Sequence, residues 1–338
     1  MKSSKYLTII FLFIIIVLSA VLAINIIIDP LWYFGGNKLN AKNLLFNERL
    51  SKINDFFSSQ KNYDCLIFGN SRSTFLKPSL LDGYSCYNFS FSGGMVEELV
   101  EYANYLKKYV EPKLIIVSVD YANTFLSKKL DGVPDFVLKD EAPDNFLFNY
   151  LSLSTLRFSY RTLLDNSPLP RLYDDKLEVY IIDSPPKYKV PKCIDLSEEQ
   201  ESFFDETIAL YTELVSIFPN AMTIGYIPPI SAWTFAKYFL RDEETYKNFI
   251  FAVYPLFDEF YDYSAPNFIT TDPSKTYDGS HFDVATNEAI LKEIMSKDLV
   301  FGEKINDNSV IDYVNSIKYK VQSFMSTKEI LLCGDKID

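Results

Sequence analysis

One histidine, His281, is present in the whole chain, and the four cysteines (Cys65, Cys86, Cys193, Cys333) include no Cys-x-x-Cys pair. That scarcity argues against a Cys/His zinc site; the serine chemistry read below requires neither a metal nor any other cofactor. Positive charge is also in deficit: 33 Lys+Arg face 45 Asp+Glu, a net charge of -12. A phosphate backbone attracts a basic surface, so a nucleic-acid partner is not expected. Internal repeats and low-complexity tracts are lacking, and only one long apolar run exists. What is abundant is core material. Hydrophobic residues make up 48% of the 338 residues and aromatics 16%, which excludes a disordered tail, a collagen and a small disulfide scaffold.

The apolar run is Tyr6 to Ile28, 23 residues without a charge. As a helix it would measure about 34 Å, enough for a ~30 Å hydrocarbon core. Lys2 and Lys5 precede it and Asp29-Pro30 ends it. The positive-inside tendency keeps the lysines cytoplasmic and sends the rest of the chain across. A cleaved signal peptide is the rival, with Val21-Leu22-Ala23 as the cleavage site. The apolar run continues through Ile24, Ile26, Ile27 and Ile28, which favours the uncleaved anchor. Both readings place the globular part outside the cytoplasm, on the periplasmic side or at the cell surface. Disulfides are permitted there, yet buried thiols are the simpler expectation for all four cysteines.

Beyond the anchor (1–28) and a juxtamembrane helical segment (29–63), an α/β domain is expected over 64–300, with a helical insertion at about 124–191 and a C-terminal extension over 301–338. Strands are read at 64–69, 84–89, 113–120 and 221–227, with a short edge strand at 268–271. The run Lys113-Leu-Ile-Ile-Val-Ser-Val-Asp120 is the clearest, continuous and β-branched as a doubly covered parallel strand should be. Helices are read at 41–59, 94–109, 196–218 and 286–296, and 232–260 is read as mostly helical with a break or kink near Pro255. Alternating strands and helices give a three-layer fold, a mainly parallel sheet with helices on both faces. Ligands bind such sheets at the carboxyl ends of the strands, so chemistry is expected just after Gly69, Phe89, Asp120 and Ile227.

Three blocks lie there or close by. Ser71, in Gly69-Asn-Ser-Arg-Ser73, follows the first strand, where a turn exposes its hydroxyl and frees backbone N–H groups for an oxyanion. Gly93, in Asn88-Phe-Ser-Phe-Ser-Gly93, lets the backbone approach a ligand. Asp278 lies three residues before His281. It can fix the imidazole tautomer and leave Nε2 to take a proton from a serine.

These blocks, in this order and at this wide spacing, resemble the SGNH (GDSL-like) hydrolase superfamily over roughly 64–295. The anchor running into Ile28-Asp-Pro30, Gly69-Asn-Ser71-Arg72 and Val119-Asp120-Tyr121 resemble more closely the membrane-anchored proteins of cell-envelope polysaccharide and teichoic-acid acylation, the DltD and AlgJ/AlgX types. The resemblance implies an acyl-ester hydrolase or O-acyltransferase. Ser71 would be the nucleophile, His281 the base and Asp278 its orienter, with an oxyanion hole from the N–H groups of Ser71 and Gly93. An envelope glycan or acyl donor would be the substrate and a membrane acyltransferase a further partner; the bilayer would hold residues 6–28.

One block departs from the family pattern. Where many SGNH enzymes carry an Asn that donates to the oxyanion, this chain has Asp120, which as a carboxylate can only accept. Either Asp120 pairs with Arg72 and shapes the site as a neutral unit, or Asn123 supplies the missing donor. Trp233, after Pro228-Pro229, is a candidate sugar-stacking ring, with helix packing as its other reading. A non-catalytic SGNH-like binding or scaffold protein of a surface-polysaccharide machine is the alternative function.

Overall fold

A computed structural model describes residues 2–59, 61–125, 130, 132–197 and 201–334. The chain begins with helix α1 (Lys2–Ile28) and α2 (Glu48–Ser58), then strand β1 (Cys65–Phe68), β2 (Cys86–Asn88), helix α3 (Val96–Leu106) and β3 (Leu114–Ser118). Three short helices follow, α4 (Asp135–Leu138), α5 (Phe146–Tyr150) and α6 (Leu153–Leu163), then strands β4 (Arg171–Tyr173), β5 (Val179–Ile181) and β6 (Cys193–Ile194). The last part holds α7 (Phe204–Ser216), β7 (Met222–Ile227), α8 (Ala232–Arg241), α9 (Glu243–Val253), β8 (Glu259–Asp262), α10 (Val284–Ser296), β9 (Glu303–Ile305), α11 (Val310–Thr327) and β10 (Leu331–Leu332).

These elements form two compact units, one of residues 1–61 with 132–182 and one of 62–131 with 183–338. In the first, α5 and α6 pack on α1, and β4 pairs antiparallel with β5. The turn after α1 is held by Asp29, whose carboxylate accepts from the N–H groups of Tyr33, Phe34 and Gly36 and from the Tyr150 hydroxyl. The expected insertion therefore shares a unit with the N-terminal segment.

The second unit is the α/β body. Its six-stranded sheet has the order β2-β1-β3-β7-β8-β9, parallel except for β9. The central strands Cys-Leu-Ile-Phe (β1) and Leu-Ile-Ile-Val-Ser (β3) are buried on both faces, because helices cover both. On one face Cys65, Ile67, Leu114 and Ile116 pack with Ile290, Leu291 and Ile294 of α10. On the other, Phe68 stacks on Phe89, which meets Tyr102 of α3.

Four local readings are corrected. The stretch 232–260 breaks at Pro255 as expected, where a 3₁₀ turn precedes β8, but it also breaks earlier: Asp242 ends α8 and caps α9 by accepting from the Thr245 N–H at 2.9 Å. That strand pairs with β7 because Gly225 carries no side chain. A Cβ there would lie 2.6 Å from the rings of Phe257 and Phe260. Residues 268–271 form a turn rather than an edge strand. Of the C-terminal extension read over 301–338, residues 301–334 belong to the body: β9 closes the sheet edge, and Val314, Ile317 and Val321 of α11 are buried; 335–338 lie outside the described residues. The cysteines are bridged, Cys65 to Cys86 and Cys193 to Cys333. Parallel pairing sets Cys65 opposite Cys86, and β6–β10 pairing aligns Cys193 with Leu331, two residues before Cys333. One long apolar N-terminal helix and two disulfides suggest a secreted or anchored extracytoplasmic domain.

Candidate active site

Gly69 ends β1 where no side chain fits. A Cβ would stand 2.1 Å from the Ser73 Oγ and 2.5 Å from the Ser118 Cβ. The chain therefore turns tightly against β3, and Asn70, Ser71 and Arg72 project from that turn. The element that follows is a single 3₁₀ turn, Ser73–Phe75, rather than a long helix. The turn is pinned from the neighbouring strand. Asn88, at the end of β2, donates its side-chain amide to the carbonyls of Ser73 (2.9 Å) and Leu76 (2.8 Å). The Phe91 N–H reaches the Gly69 carbonyl at 3.3 Å.

The partner of Ser71 comes from 210 positions later. His281 Nε2 lies 2.8 Å from Ser71 Oγ, and His281 Nδ1 lies 2.7 Å from Asp278 Oδ2. The other Asp278 oxygen accepts the backbone N–H groups of Ser280 (2.9 Å) and His281 (2.8 Å). Burial pushes the Asp278 carboxyl up, but the bond and charge of His281 and these two N–H groups outweigh it and hold it below the usual range. An ionised carboxylate only accepts, so Nδ1 carries the ring proton and Nε2 offers its lone pair to the Ser71 hydroxyl. Thr276 steadies the loop by donating to the His281 carbonyl at 2.8 Å. Tyr277 stacks on the imidazole, with centroids 5.3 Å apart and planes 2° from parallel. Ser71 is half-buried and the His281 side chain 16% exposed, so solvent reaches the pair.

Asp120 and Arg72 are both buried and form an ion pair. Asp120 also accepts from the Asn70 side chain (2.7 Å) and the Ala122 N–H (2.9 Å). Burial alone would lower the Arg72 pKa, but the charge of Asp120 raises it. Of the two accounts of the altered third block, the pair is the one formed. Asn123 is turned elsewhere: it is buried and gives its amide to the Tyr211 hydroxyl at 3.2 Å, a hydroxyl that also accepts the Asp120 N–H at 3.0 Å. It is not placed as an oxyanion donor. Trp233 takes the second of its two readings, helix packing. It is only 6% exposed and packs edge-on against Phe324 and Tyr188, so it offers no face to a sugar. Gly93 lies exposed on the loop beside the Ser71 turn, at φ +63° with open space around its Cβ position.

Three residues escaped the sequence reading. Asn70 stands inside the first block, and its link to Asp120 needs the β1–β3 pairing to be known. Tyr277 is adjacent to Asp278, and an aromatic beside an Asp-x-x-His signature was its only signal. Tyr211 lies in α7, distant in sequence from every block, and nothing local marked it. No family model matches the chain, and no curated protein and no solved structure matches it.

Proposed function

We propose that the chain is a membrane-anchored, extracytoplasmic serine acyl-esterase or O-acyltransferase of the SGNH-like kind, acting on a cell-envelope glycan. The observation that carries this reading is the continuous chain of hydrogen bonds Ser71–His281–Asp278. As the acyl substrate arrives, Ser71 Oγ bonds to the carbonyl carbon and its proton passes to His281 Nε2. The carbonyl oxygen becomes an oxyanion, for which the N–H groups of Ser71 and Gly93 are the assigned donors. Collapse breaks the ester bond, and the leaving alcohol takes the proton from His281. Ser71 is left acylated. Water, or a sugar hydroxyl, then gives its proton to His281 and attacks the acyl carbon; Ser71 recovers its proton as it leaves. Water gives hydrolysis and the sugar gives transfer. Asp120, neutralised by Arg72 and hydrogen-bonded by Asn70, shapes the wall without presenting a bare negative charge to the oxyanion. Residues 6–28 span the membrane once, with the N-terminus cytoplasmic and a membrane acyltransferase as the acyl source.

One observation favours a second reading, a non-catalytic glycan-binding scaffold. Both candidate side chains of the third block are already engaged, Asp120 by Arg72 and Asn123 by Tyr211, so no side-chain oxyanion donor is assigned. Turnover of p-nitrophenyl acetate decides between the two. The full chain is expected to hydrolyse it, with Ser71→Ala reducing kcat to background at unchanged folding. Equal turnover by Ser71→Ala would sink the enzymatic reading.

A further inference from the structure

Helix α6 is amphipathic the wrong way round for water. Its buried residues are Thr155, Ser159 and Thr162. Its exposed ones include Leu153 (79%), Tyr160 (60%) and, at the cap, Leu164 (57%). At 3.6 residues per turn these three fall within about 40° of one another. Exposed Arg157 lies beside them on the same stripe. The preceding helix α5 adds Phe148, 84% exposed. A soluble surface helix turns its apolar stripe to the core, and contiguous exposed apolar surface marks a contact site.

The polar side of α6 has a specific occupant, the end of α1. Asn25, fully buried, donates to the Tyr150 carbonyl at 2.7 Å and accepts from the Ser159 hydroxyl at 2.7 Å. The hairpin thus grips the apolar helix three residues before its end at Ile28. The apolar stretch Lys5–Ile28 has 24 residues, about 36 Å as a helix. A hydrocarbon core of ~30 Å leaves the last ~4 residues at the headgroup level. Asn25, and with it the α5–α6 hairpin, falls at that boundary.

We propose that the α5–α6 hairpin is a second, monotopic membrane contact, lying in the bilayer interface with Phe148, Leu153, Tyr160 and Leu164 among the acyl chains and Arg157 at the lipid phosphates. A basic helix with an apolar face and an interfacial tyrosine has the chemistry of an interface-lying element. The occupant is the bilayer itself, because the hairpin that carries the patch is hydrogen-bonded to the end of the helix that enters it. This inference rests on the reading of α1 as a span. It fixes the first unit at the membrane surface, where a tether alone would leave it free.

The test uses the full chain in vesicles of phosphatidylcholine and phosphatidylglycerol. An environment-sensitive fluorophore is placed by Leu153→Cys or, separately, by Ile15→Cys in α1. The Leu153 label is expected to lose most of its fluorescence to lipids spin-labelled near the headgroup and to resist aqueous iodide. The Ile15 label is expected to be quenched by lipids spin-labelled deep in the acyl chain. Quenching of Leu153 by iodide and not by lipid, with Ile15 still quenched by lipid, overturns the hairpin contact and leaves the anchor standing. Loss of lipid quenching at both positions overturns both.

Discussion

Replacing Arg72 by alanine leaves Asp120 buried with its cation gone. Breaking a buried pair from one side typically costs about 3–5 kcal/mol, and urea unfolding of Arg72→Ala is expected to show a loss of that order. Asp120→Asn should cost less, since an amide needs no counter-charge, although the Arg72 charge it strands keeps the cost above that of a surface change. The double variant should fall short of the sum of the singles, because the two residues share one interaction. The proposed triad obeys a different rule. Asp278 stands at the surface and holds a tautomer, so Asp278→Asn is expected to lower kcat by about 10⁴-fold with little change in the urea midpoint. The meeting of Ser71, His281 and Asp278 was legible in the sequence because each sits in a short block whose residue types suit one chemistry. Tyr211 and Tyr277 were not, since a tyrosine in a helix or a loop carries no sign of what it will bond to or stack upon. Trp233 and Asn123 each carried two readings for the same reason: residue type suggests a capability, and only packing decides whether it is used.

Strand β8 illustrates how an element can be held by charges read far along the chain. Glu259 opens it and accepts from Lys297, at the end of α10 (2.5 Å), from Lys304 of β9 (3.0 Å) and from the Tyr261 hydroxyl (2.8 Å). Burial pushes its carboxyl up, but these partners outweigh that and bring it from the ordinary 4.5 down to about 2. A depressed carboxylate stabilises the fold fully above its unfolded value and loses that contribution as pH falls through the folded one. Wild type should therefore exceed Glu259→Gln by on the order of 1 kcal/mol near neutrality, given the exposure of the lysines. The gap is expected to close between about pH 4.5 and pH 2, read from urea midpoints across that range. The same contacts explain why β8 was not legible while β1, β3 and β7 were. Leu-Ile-Ile-Val declares a buried strand by itself, whereas Glu-Phe-Tyr-Asp becomes one only with Gly225 beside it and two lysines to meet Glu259.

At the scale of the whole molecule, covalent links and compartment belong together. The Cys193–Cys333 bridge closes a separation of 140 residues and Cys65–Cys86 one of 21. Chain-entropy arithmetic assigns them about 5 and about 3 kcal/mol. Removing the pairs singly, as Cys193→Ala/Cys333→Ala and Cys65→Ala/Cys86→Ala, should reproduce that ranking in denaturant unfolding. The parallel α/β body was readable from strand–helix alternation; the bridges were not, because spacing alone does not say which cysteines the sheet will bring together. If one histidine activates one serine in this fold, a fluorophosphonate reagent will mark that serine. Reaction with the full chain followed by peptide mass analysis should place a single adduct on Ser71, absent in Ser71→Ala and strongly slowed in His281→Ala. A chain that folds, keeps both disulfides and leaves Ser71 unmodified would show that His281 does not activate this serine.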